Sequence, residues 1–233
     1  MWRAKMDAAF EKIMAAGWLG TIAPDLRQGF QNALKLKEFA SGSEVYAFEQ
    51  DQPCLWGVAS GGVHLFVAMN EQLPTLAHIA GPGAWFGDAH VVLGGGRAVR
   101  VTSFGPSSLY RIERGEIAKL ASQNPDAWLE VAKLTAMNAL TAIGAGEDLM
   151  IRDSRKRLVA VLLRLSGHRN NYQGTLPLKS VPLTHEELAD ACRLSRSSAA
   201  AILRDLVSRK VIQTEYRSIR IVDAKALEAG ISE

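Results

Sequence analysis

The hydrophobic and polar positions change their period twice along the chain. Residues 3–16 carry apolar side chains at helical spacing, and Pro24 opens a second predicted helix that reaches residue 34. Between Phe39 and Ile112, short apolar runs alternate with glycine, serine and proline. This pattern predicts strands at 44–48, 55–59, 63–69, 75–79, 100–104 and 108–112. Short strands at regular spacing are typical of an antiparallel sandwich or barrel.

The helical period returns after Arg114. It predicts a short helix over 115–122 and a long helix from Asn124 to about residue 150. The long helix contains Gly144 and Gly146, and an interior glycine costs about 1 kcal/mol relative to alanine. Two glycines in one turn indicate either close approach by a helix or ligand, or a break in the helix. Asp153 then opens another predicted helix, over 154–167, so we place a domain boundary at residues 152–153.

A helix-turn-helix pattern occupies residues 183–212. Thr184 and Glu187 have the spacing of a capping box and begin a short predicted helix over 186–192. Ser195 caps a second predicted helix, 196–209, which is apolar on one face and mainly polar on the other. Two short strands follow, with Arg217 in the loop between them, and this predicts a wing that contacts DNA phosphates. The alternative is a winged helix used for protein contacts.

Charge is distributed unevenly between the two halves of the chain. Residues 1–150 contain 12 Lys and Arg against 15 Asp and Glu, whereas residues 151–233 contain 15 against 9. A basic half indicates a polyanionic partner, although a chance imbalance of this size is an alternative. Together with the helix-turn-helix pattern, the charge favours DNA.

Residues 183–206, LTHEELADACRLSRSSAAAILRDL, resemble the winged helix-turn-helix of the Crp/Fnr family of bacterial transcription regulators. The resemblance continues through residues 219–223 and Leu227, and the N-terminal pattern is similar to the family's sensory barrel. It implies an α+β fold: an N-terminal antiparallel β-barrel (a cyclic-nucleotide-binding-like jelly roll), a long dimerisation helix and a C-terminal winged helix-turn-helix. The corresponding domains are 1–123, 124–152 and 153–233.

The resemblance also assigns roles in DNA binding. It places the second helix in the major groove with Arg196, Ser197 and Ala201 at the base-reading positions, and Arg196 has the donor fork that suits guanine. Phosphate contacts are expected from Thr184, His185, Ser195, Ser198, Arg204 and Arg217. Arg193 stands where the family usually has glycine, and a left-handed backbone there would cost about 1–2 kcal/mol.

Residues 81–101 are similar to the family's phosphate-binding cassette. The positions that bind ribose and cyclic phosphate in nucleotide-binding members are Gly87, Asp88, Arg97 and Ala98 here, and Thr141 lies near the base-contacting positions. Asp88 is one methylene shorter than the family's glutamate, and Ala98 has no hydroxyl. These departures disfavour a cyclic nucleotide, so we expect an effector other than cyclic AMP, or a barrel that has lost its ligand.

Other chemistries find little support in the sequence. Two cysteines, Cys54 and Cys192, are too few for an iron–sulfur cluster, which needs about four thiolates. His64, His78 and His90 are scattered, so we expect no metal site and no cofactor. There is no phosphate-binding loop lysine and no nucleophile elbow, so we expect no enzyme activity. A metal- or ligand-dependent barrel enzyme with an accessory winged helix, or a constitutive regulator without effector, stays as an alternative.

The expected partners follow from this organisation. We expect a homodimer on a near-palindromic double-stranded DNA site, because one winged helix reads only a half-site. RNA polymerase is a further candidate partner. Asp7 and Glu11 interrupt the apolar run near the N-terminus, and the uncharged stretch 52–70 contains proline and glycine. We therefore expect neither a signal peptide nor a membrane span, and a cytoplasmic protein.

Overall fold

The computed structural model describes residues 15–48, 52–68 and 74–232. The helix predicted over 3–16 therefore lies almost entirely outside the described residues. The chain divides into two compact units. The first comprises the described parts of 1–64, 80–139 and 172–176, and the second comprises those of 65–79, 140–171 and 177–233.

The N-terminal half contains two short helices followed by strands. The helices are α1 (Gly17–Thr21) and α2 (Pro24–Asn32), and a later one, α3, spans Asp88–Leu93. The strands are β1 (Lys35–Phe39), β2 (Glu44–Tyr46), β3 (Cys54–Ser60), β4 (Val63–Val67), β5 (Thr75–Ala80), β6 (Trp85–Phe86), β7 (Val99–Ser103) and β8 (Ser107–Glu113).

These strands form two four-stranded sheets. One has the order β1-β8-β3-β6 and the other β2-β7-β4-β5. The pairs β1–β8, β3–β8, β3–β6 and β2–β7 are antiparallel, with Trp56 opposite Arg111 in the first sheet. The expected antiparallel N-terminal domain is confirmed. Alternation along β3 sends Leu55 to one face and Cys54 and Trp56 to the other.

A hydrophobic core forms on one face of the first sheet. Trp18 is fully buried there, and its indole Nε1 donates to the carbonyl oxygen of Glu130 over 2.7 Å. Phe30 and Trp85 pack edge-on against Trp18, with ring centroids 5.3 and 5.4 Å away. The remaining members are Leu19, Ile22, Leu26, Leu55, Val91, Ile112, Ile117, Ala127, Val131 and Leu134. This core uses one face of the sheet and leaves the Trp56 face for other contacts.

Two helices follow the barrel, α4 (Arg114–Gln123) and α5 (Asp126–Met150). Helix α5 is continuous, so the break considered at its glycines does not occur. A Cβ on Gly144 would lie 2.2 Å from Nδ2 of Asn170, whereas a Cβ on Gly146 would meet nothing within 4 Å. The close approach of the Asn170 amide explains Gly144, whereas no described residue explains Gly146.

The C-terminal elements belong to the second unit. They are α6 (Ser154–Leu165), β9 (Ser180–Val181), α7 (His185–Ala191), α8 (Arg196–Ser208), β10 (Ile212–Glu215), β11 (Ser218–Ile221) and α9 (Ala224–Ser232). The three strands form a sheet with the order β10-β11-β9. The predicted cap at Asp153 is confirmed, because its carboxylate accepts from the Lys156 backbone over 2.8 Å.

Helix α6 is buried on all sides along its second half. Every residue from Leu158 to Leu165 is buried, including Arg164.

Cys192 and, in the first unit, Cys54 are both buried free thiols, and burial raises the pKa of Cys192 to about 12. The two cysteines therefore act as small packing residues.

Candidate nucleic-acid interface and effector cavity

The helix-turn-helix forms from the local signals in its sequence. Thr184 Oγ1 accepts from the Glu187 backbone over 3.1 Å, and Glu187 Oε2 accepts from the Thr184 backbone over 2.7 Å. This closes the predicted capping box. Ser195 Oγ accepts from the Ser198 backbone over 3.1 Å and so caps α8. The caps fix the N-terminal ends of both helices.

The turn contains the left-handed backbone whose cost the sequence analysis considered. Arg193 has φ +53°, where the family usually has glycine. Cys192 N donates to the Leu188 carbonyl and Leu194 N to the Ala189 carbonyl, over 3.0 and 2.9 Å. These bonds hold the turn despite the cost of the left-handed arginine.

Helix α8 presents the predicted reading positions to solvent. Its inward residues Ala199, Leu203 and Leu206 are buried, whereas Arg196 is exposed over 75% of its side chain. The other exposed residues on this surface are Ser195, Ser197, Ser198, Ala201 and Arg204. The Arg196 guanidinium pairs with the Glu186 carboxylate on α7. Glu186 is a feature that the sequence reasoning missed, because an acidic residue in a first helical turn is usually a charge on a solvated face.

The other residues predicted to contact phosphates lie at the start of α7 and in the wing loop. Thr184 is half-buried in its capping box and His185 is exposed at the start of α7. Arg217 is exposed in the loop between β10 and β11 with φ +52°, beside Tyr216, which is 92% exposed. The structure thus places the predicted DNA-contacting residues in one unit, on exposed helix starts and a wing tip.

The cassette forms a second site, in the first unit. Gly87 has φ +88° and caps α3, and a Cβ there would lie 2.6 Å from the Cys54 carbonyl oxygen. Asp88 is buried, and its Oδ1 accepts from Nδ2 of Asn138 over 2.6 Å. Asn138 Oδ1 in turn accepts from Gln173 over 2.6 Å. Sequence reasoning missed Asn138 and Gln173, since no local pattern links positions 50 and 35 residues apart.

Arg97 enters the barrel rather than solvent. Only 4% of it is exposed. Its Nη2 donates to the Gln52 carbonyl over 2.5 Å and lies 3.5 Å from Cys54 Sγ, and its guanidinium carbon is 3.8 Å from the centre of the Tyr46 ring. Ala98 is exposed beside it, and Thr141 lies on α5 in the second unit. The structure therefore brings Gly87, Asp88 and Arg97 into one unit, and Thr141 belongs to the other.

A buried ionic cluster lies in the second unit. Asp148, fully buried at the end of α5, accepts from Nε of Arg164 over 2.8 Å and from Nε of Arg169 over 3.1 Å. Arg164 also donates to the Ala77 carbonyl on β5 over 3.0 Å. Next to Ala77, His78 is half-buried, with its ring Nδ1 shielded from solvent. Desolvation, reinforced by the Arg164 charge, lowers the pKa of His78 to about 4.

Comparison with known proteins finds one family model in the N-terminal part of the chain and another in the C-terminal part. A cyclic nucleotide-binding domain model matches residues 36–124, and a Crp-like helix-turn-helix domain model matches residues 156–229, more than two thirds of the chain together. The chain belongs to the Crp/Fnr family of transcriptional regulators. This confirms the expected family and the DNA-binding class of the C-terminal domain.

Several Crp/Fnr relatives align over most of the chain. The CRP-like cAMP-activated global transcriptional regulator of Mycobacterium tuberculosis is 23% identical over 93% of this chain and 97% of its own. The transcriptional regulator LdrP of Thermus thermophilus is 26% identical over 83% of this chain and 95% of its own. FixK2 from Bradyrhizobium japonicum shares the fold, with a TM-score of 0.69, 15% identity, and coverage of 84% and 96%.

The described residues of this Crp/Fnr protein contain neither a cluster of metal ligands nor a membrane-spanning helix. Among the described residues, no three histidine, cysteine, aspartate or glutamate side chains converge as metal ligands would. No helix in the described part of the chain is long and apolar enough to cross a membrane. The roles of the predicted site residues stay predictions.

Proposed function

We propose that the protein is a homodimeric regulator that reads a near-palindromic DNA site with Arg196 and responds to an effector other than cyclic AMP. The observation that carries the DNA-binding part is the exposed start of α8, where Arg196 stands free of the core with serines on either side. A bidentate guanidinium at this place suits guanine in the major groove. Ser197 and Ala201 would contact neighbouring bases weakly.

The exposed face of α5 supports the homodimer. Leu129, Leu140, Ile143 and Met150 are exposed large hydrophobic residues on this helix, at 53%, 43%, 59% and 81%. Ala132, Ala136 and Gly146 lie between them and are also exposed, and small residues let two helices approach closely. The positions 129, 136, 143 and 150 repeat every seven residues, as in a coiled-coil seam. A second copy of α5 would cover this face and explain Gly146.

The geometry of the cassette supports an effector other than cyclic AMP. Asp88 already accepts a hydrogen bond from Asn138, Arg97 is engaged by the barrel itself, and Ala98 offers no hydroxyl. These residues do not fit a cyclic nucleotide, which needs partners for its ribose and its phosphate. We therefore infer no resident cofactor, and no iron–sulfur cluster, since Cys54 and Cys192 are separately buried. The cAMP activation named for the M. tuberculosis relative is a property of that protein.

The proposal also includes a partner protein, a cellular location and the absence of catalytic activity. RNA polymerase is a candidate partner because the aligned relatives are named transcriptional regulators. We propose that the protein works in the cytoplasm, where its DNA lies, and that it catalyses no reaction. A cyclic nucleotide-binding domain model over residues 36–124 and a helix-turn-helix model over residues 156–229 support sensing by the N-terminal part and DNA binding by the C-terminal part.

Selection of bound sequences from a random DNA library tests the proposal. We expect a site with two inverted halves about 34 Å apart, and a sedimenting species of twice the chain mass. The Arg196→Ala variant should lose about 1–3 kcal/mol on that site and relax one base position in each half. The matched variant Glu186→Gln keeps Arg196 and should preserve the base preference. An unchanged preference in Arg196→Ala, or a monomer on an unrepeated site, would overturn the proposal.

A further inference from the structure

An ion pair joins the two helices of the helix-turn-helix near their N-terminal ends. Glu186 lies in the first turn of α7, and its carboxylate accepts from Nη2 of Arg196, the first residue of α8. The two side chains are 53% and 75% exposed. Both therefore lie on the surface that contacts DNA in the proposed function, and Glu186 places a negative charge there.

The two acids in the first turn of α7 have different tasks. Glu187 is half-buried, and its Oε2 accepts from the backbone nitrogen and from Oγ1 of Thr184 over 2.7 and 2.9 Å. Its charge is therefore used inside the capping box. Glu186 takes no part in that box and extends instead to the guanidinium of Arg196. Since a cap fixes the start of each helix, the acid and the arginine face each other from ordered helix ends.

The stability of the fold does not account for this pair. Water screens an ion pair between side chains as exposed as these, so the pair adds little to the free energy of unfolding. The carboxylate also opposes the binding of a polyanion, because DNA phosphates repel it. Its cost at a DNA-binding surface is therefore larger than its benefit to folding, and its partner is the arginine predicted to read a base.

The pair distinguishes the two ways in which Arg196 can bind DNA. Non-specific binding depends on positive charge, because each cation on a phosphate releases counter-ions. A guanidinium that is already paired with a carboxylate brings little net charge to that exchange. Base recognition depends on directed donors instead, and a guanidinium carries several N–H groups in a fixed fork. The contact with Glu186 uses Nη2 and leaves donors for O6 and N7 of guanine.

We propose that Glu186 is a positioning residue that sets DNA specificity, because it neutralises Arg196 towards phosphates and holds its donor fork for guanine. The inference rests on the proposed function, in which Arg196 reads a base. Water is displaced when the helix enters the groove, so the ion pair is stronger there than in the free protein. An Arg196 on guanine keeps its carboxylate partner, whereas an Arg196 turned to a phosphate loses it. The acid therefore disfavours non-specific complexes more than the specific one.

Binding of the full chain to its selected site and to a scrambled duplex, over a range of salt concentrations, tests the proposal. Glu186→Gln should strengthen non-specific binding by about threefold to tenfold and steepen its salt slope by about one to two, since each subunit of the dimer frees one cation. Guanine should stay the preferred base, but specific binding should gain less, so the ratio of the two affinities should fall. Glu186→Asp keeps the charge and should restore most of that ratio. An unchanged ratio in Glu186→Gln would overturn the proposal.

Two comparisons establish whether Glu186 acts through Arg196. In the Arg196→Ala background, Glu186→Gln should change the ratio of affinities by less than about twofold, because the side chain it acts on is gone. Asp190→Asn is the matched control, since it removes an exposed acid from the same helix and should leave the ratio unchanged. Equal falls for Asp190→Asn and Glu186→Gln, or a full effect of Glu186→Gln without Arg196, would indicate a general effect of charge and overturn the assignment.

The same measurements separate this inference from the proposed function. If the parent chain does not distinguish its selected site from the scrambled duplex, the proposed function fails. If Arg196→Ala relaxes a base position and Glu186→Gln leaves the ratio unchanged, this inference alone fails. Thermal unfolding should give a Tm for Glu186→Gln within about 1 °C of the parent chain, as expected for an exposed pair. A Tm lower by several degrees would make the pair structural and would also contradict the inference.

Discussion

The two units each bury an arginine to the same degree, and the two arginines differ in what neutralises them. Arg97 and Arg164 are both 4% exposed. Arg164 donates to the buried carboxylate of Asp148, whereas Arg97 contacts a carbonyl, a thiol and a tyrosine ring. A buried cation is tolerable when an anion accompanies it, so Arg164 has the environment of a structural residue. Arg97 is held by neutral groups among the described residues.

The largest effect on stability should follow from removing the carboxylate that neutralises Arg164. Asp148→Asn leaves Arg164 buried without a counter-ion, and we expect a loss of about 3–5 kcal/mol in the free energy of unfolding, measured with urea. Asp205→Asn is the control, because Asp205 pairs with Arg155 and Arg209 at the surface and should matter much less. Similar losses in the two variants would contradict the distinction between the buried and exposed clusters.

The pH dependence of stability probes the same region through His78. Its folded-state pKa is lowered to about 4 by burial and by the Arg164 charge, below the ordinary value of 6.5. The unfolded state therefore binds more protons between these values. Stability should be complete above pH 6.5 and fall by on the order of 3 kcal/mol as pH falls towards 4.

Urea unfolding between pH 4.5 and 7.5 checks the contribution of His78. His78→Leu should flatten the profile, since leucine has a similar volume and does not titrate. His168→Gln is the control, because burial lowers the pKa of His168 but the Glu228 charge opposes that shift. If the His168 variant flattens the profile more than the His78 variant does, the assignment to His78 is wrong.

Much of the fold follows from local patterns, and the exceptions have physical reasons. The helices α5, α6 and α8 were predicted because their apolar residues recur with a strong helical period. The strand β1 was missed because Lys35, Lys37 and Glu38 make it an exposed, charged edge strand. The strands β6 and β9 have two residues each, too few for any period.

The candidate sites also divide into features with a local signal in the sequence and features that depend on distant segments. The capping box at Thr184 and the exposed Arg196 depend on neighbours in sequence, and the sequence predicted their arrangement. The partners of Asp88 and Arg164 come from distant segments and carry no local signal. Asp148 was missed because an isolated acid on a helix is usually solvated, and only packing shows that this one is buried.

Removal of each buried arginine in turn would sharpen the comparison. Arg97→Met should change the free energy of unfolding by about 1 kcal/mol or less. The reason is that loss of an uncompensated charge offsets loss of the Gln52 hydrogen bond and the Tyr46 contact. Arg164→Met leaves Asp148 buried and should cost several times more. Equal losses in urea unfolding would mean that Arg97 is held as firmly as Arg164 without any ligand.

The smallest effect separates the two arginines that share Asp148. Arg169 lies 3.1 Å from Asp148 Oδ1, but its side chain is 33% exposed, so water screens it more than Arg164. Arg169→Gln should therefore cost about 1 kcal/mol or less, and the difference from the parent chain should shrink in about 1 M salt. Urea unfolding at two salt concentrations measures both the loss of stability and its dependence on salt. A salt-independent loss as large as that of Asp148→Asn would make Arg169 the main counter-ion of Asp148. Arg164 would then be a buried cation with a weak anion of its own, and its contrast with Arg97 would disappear.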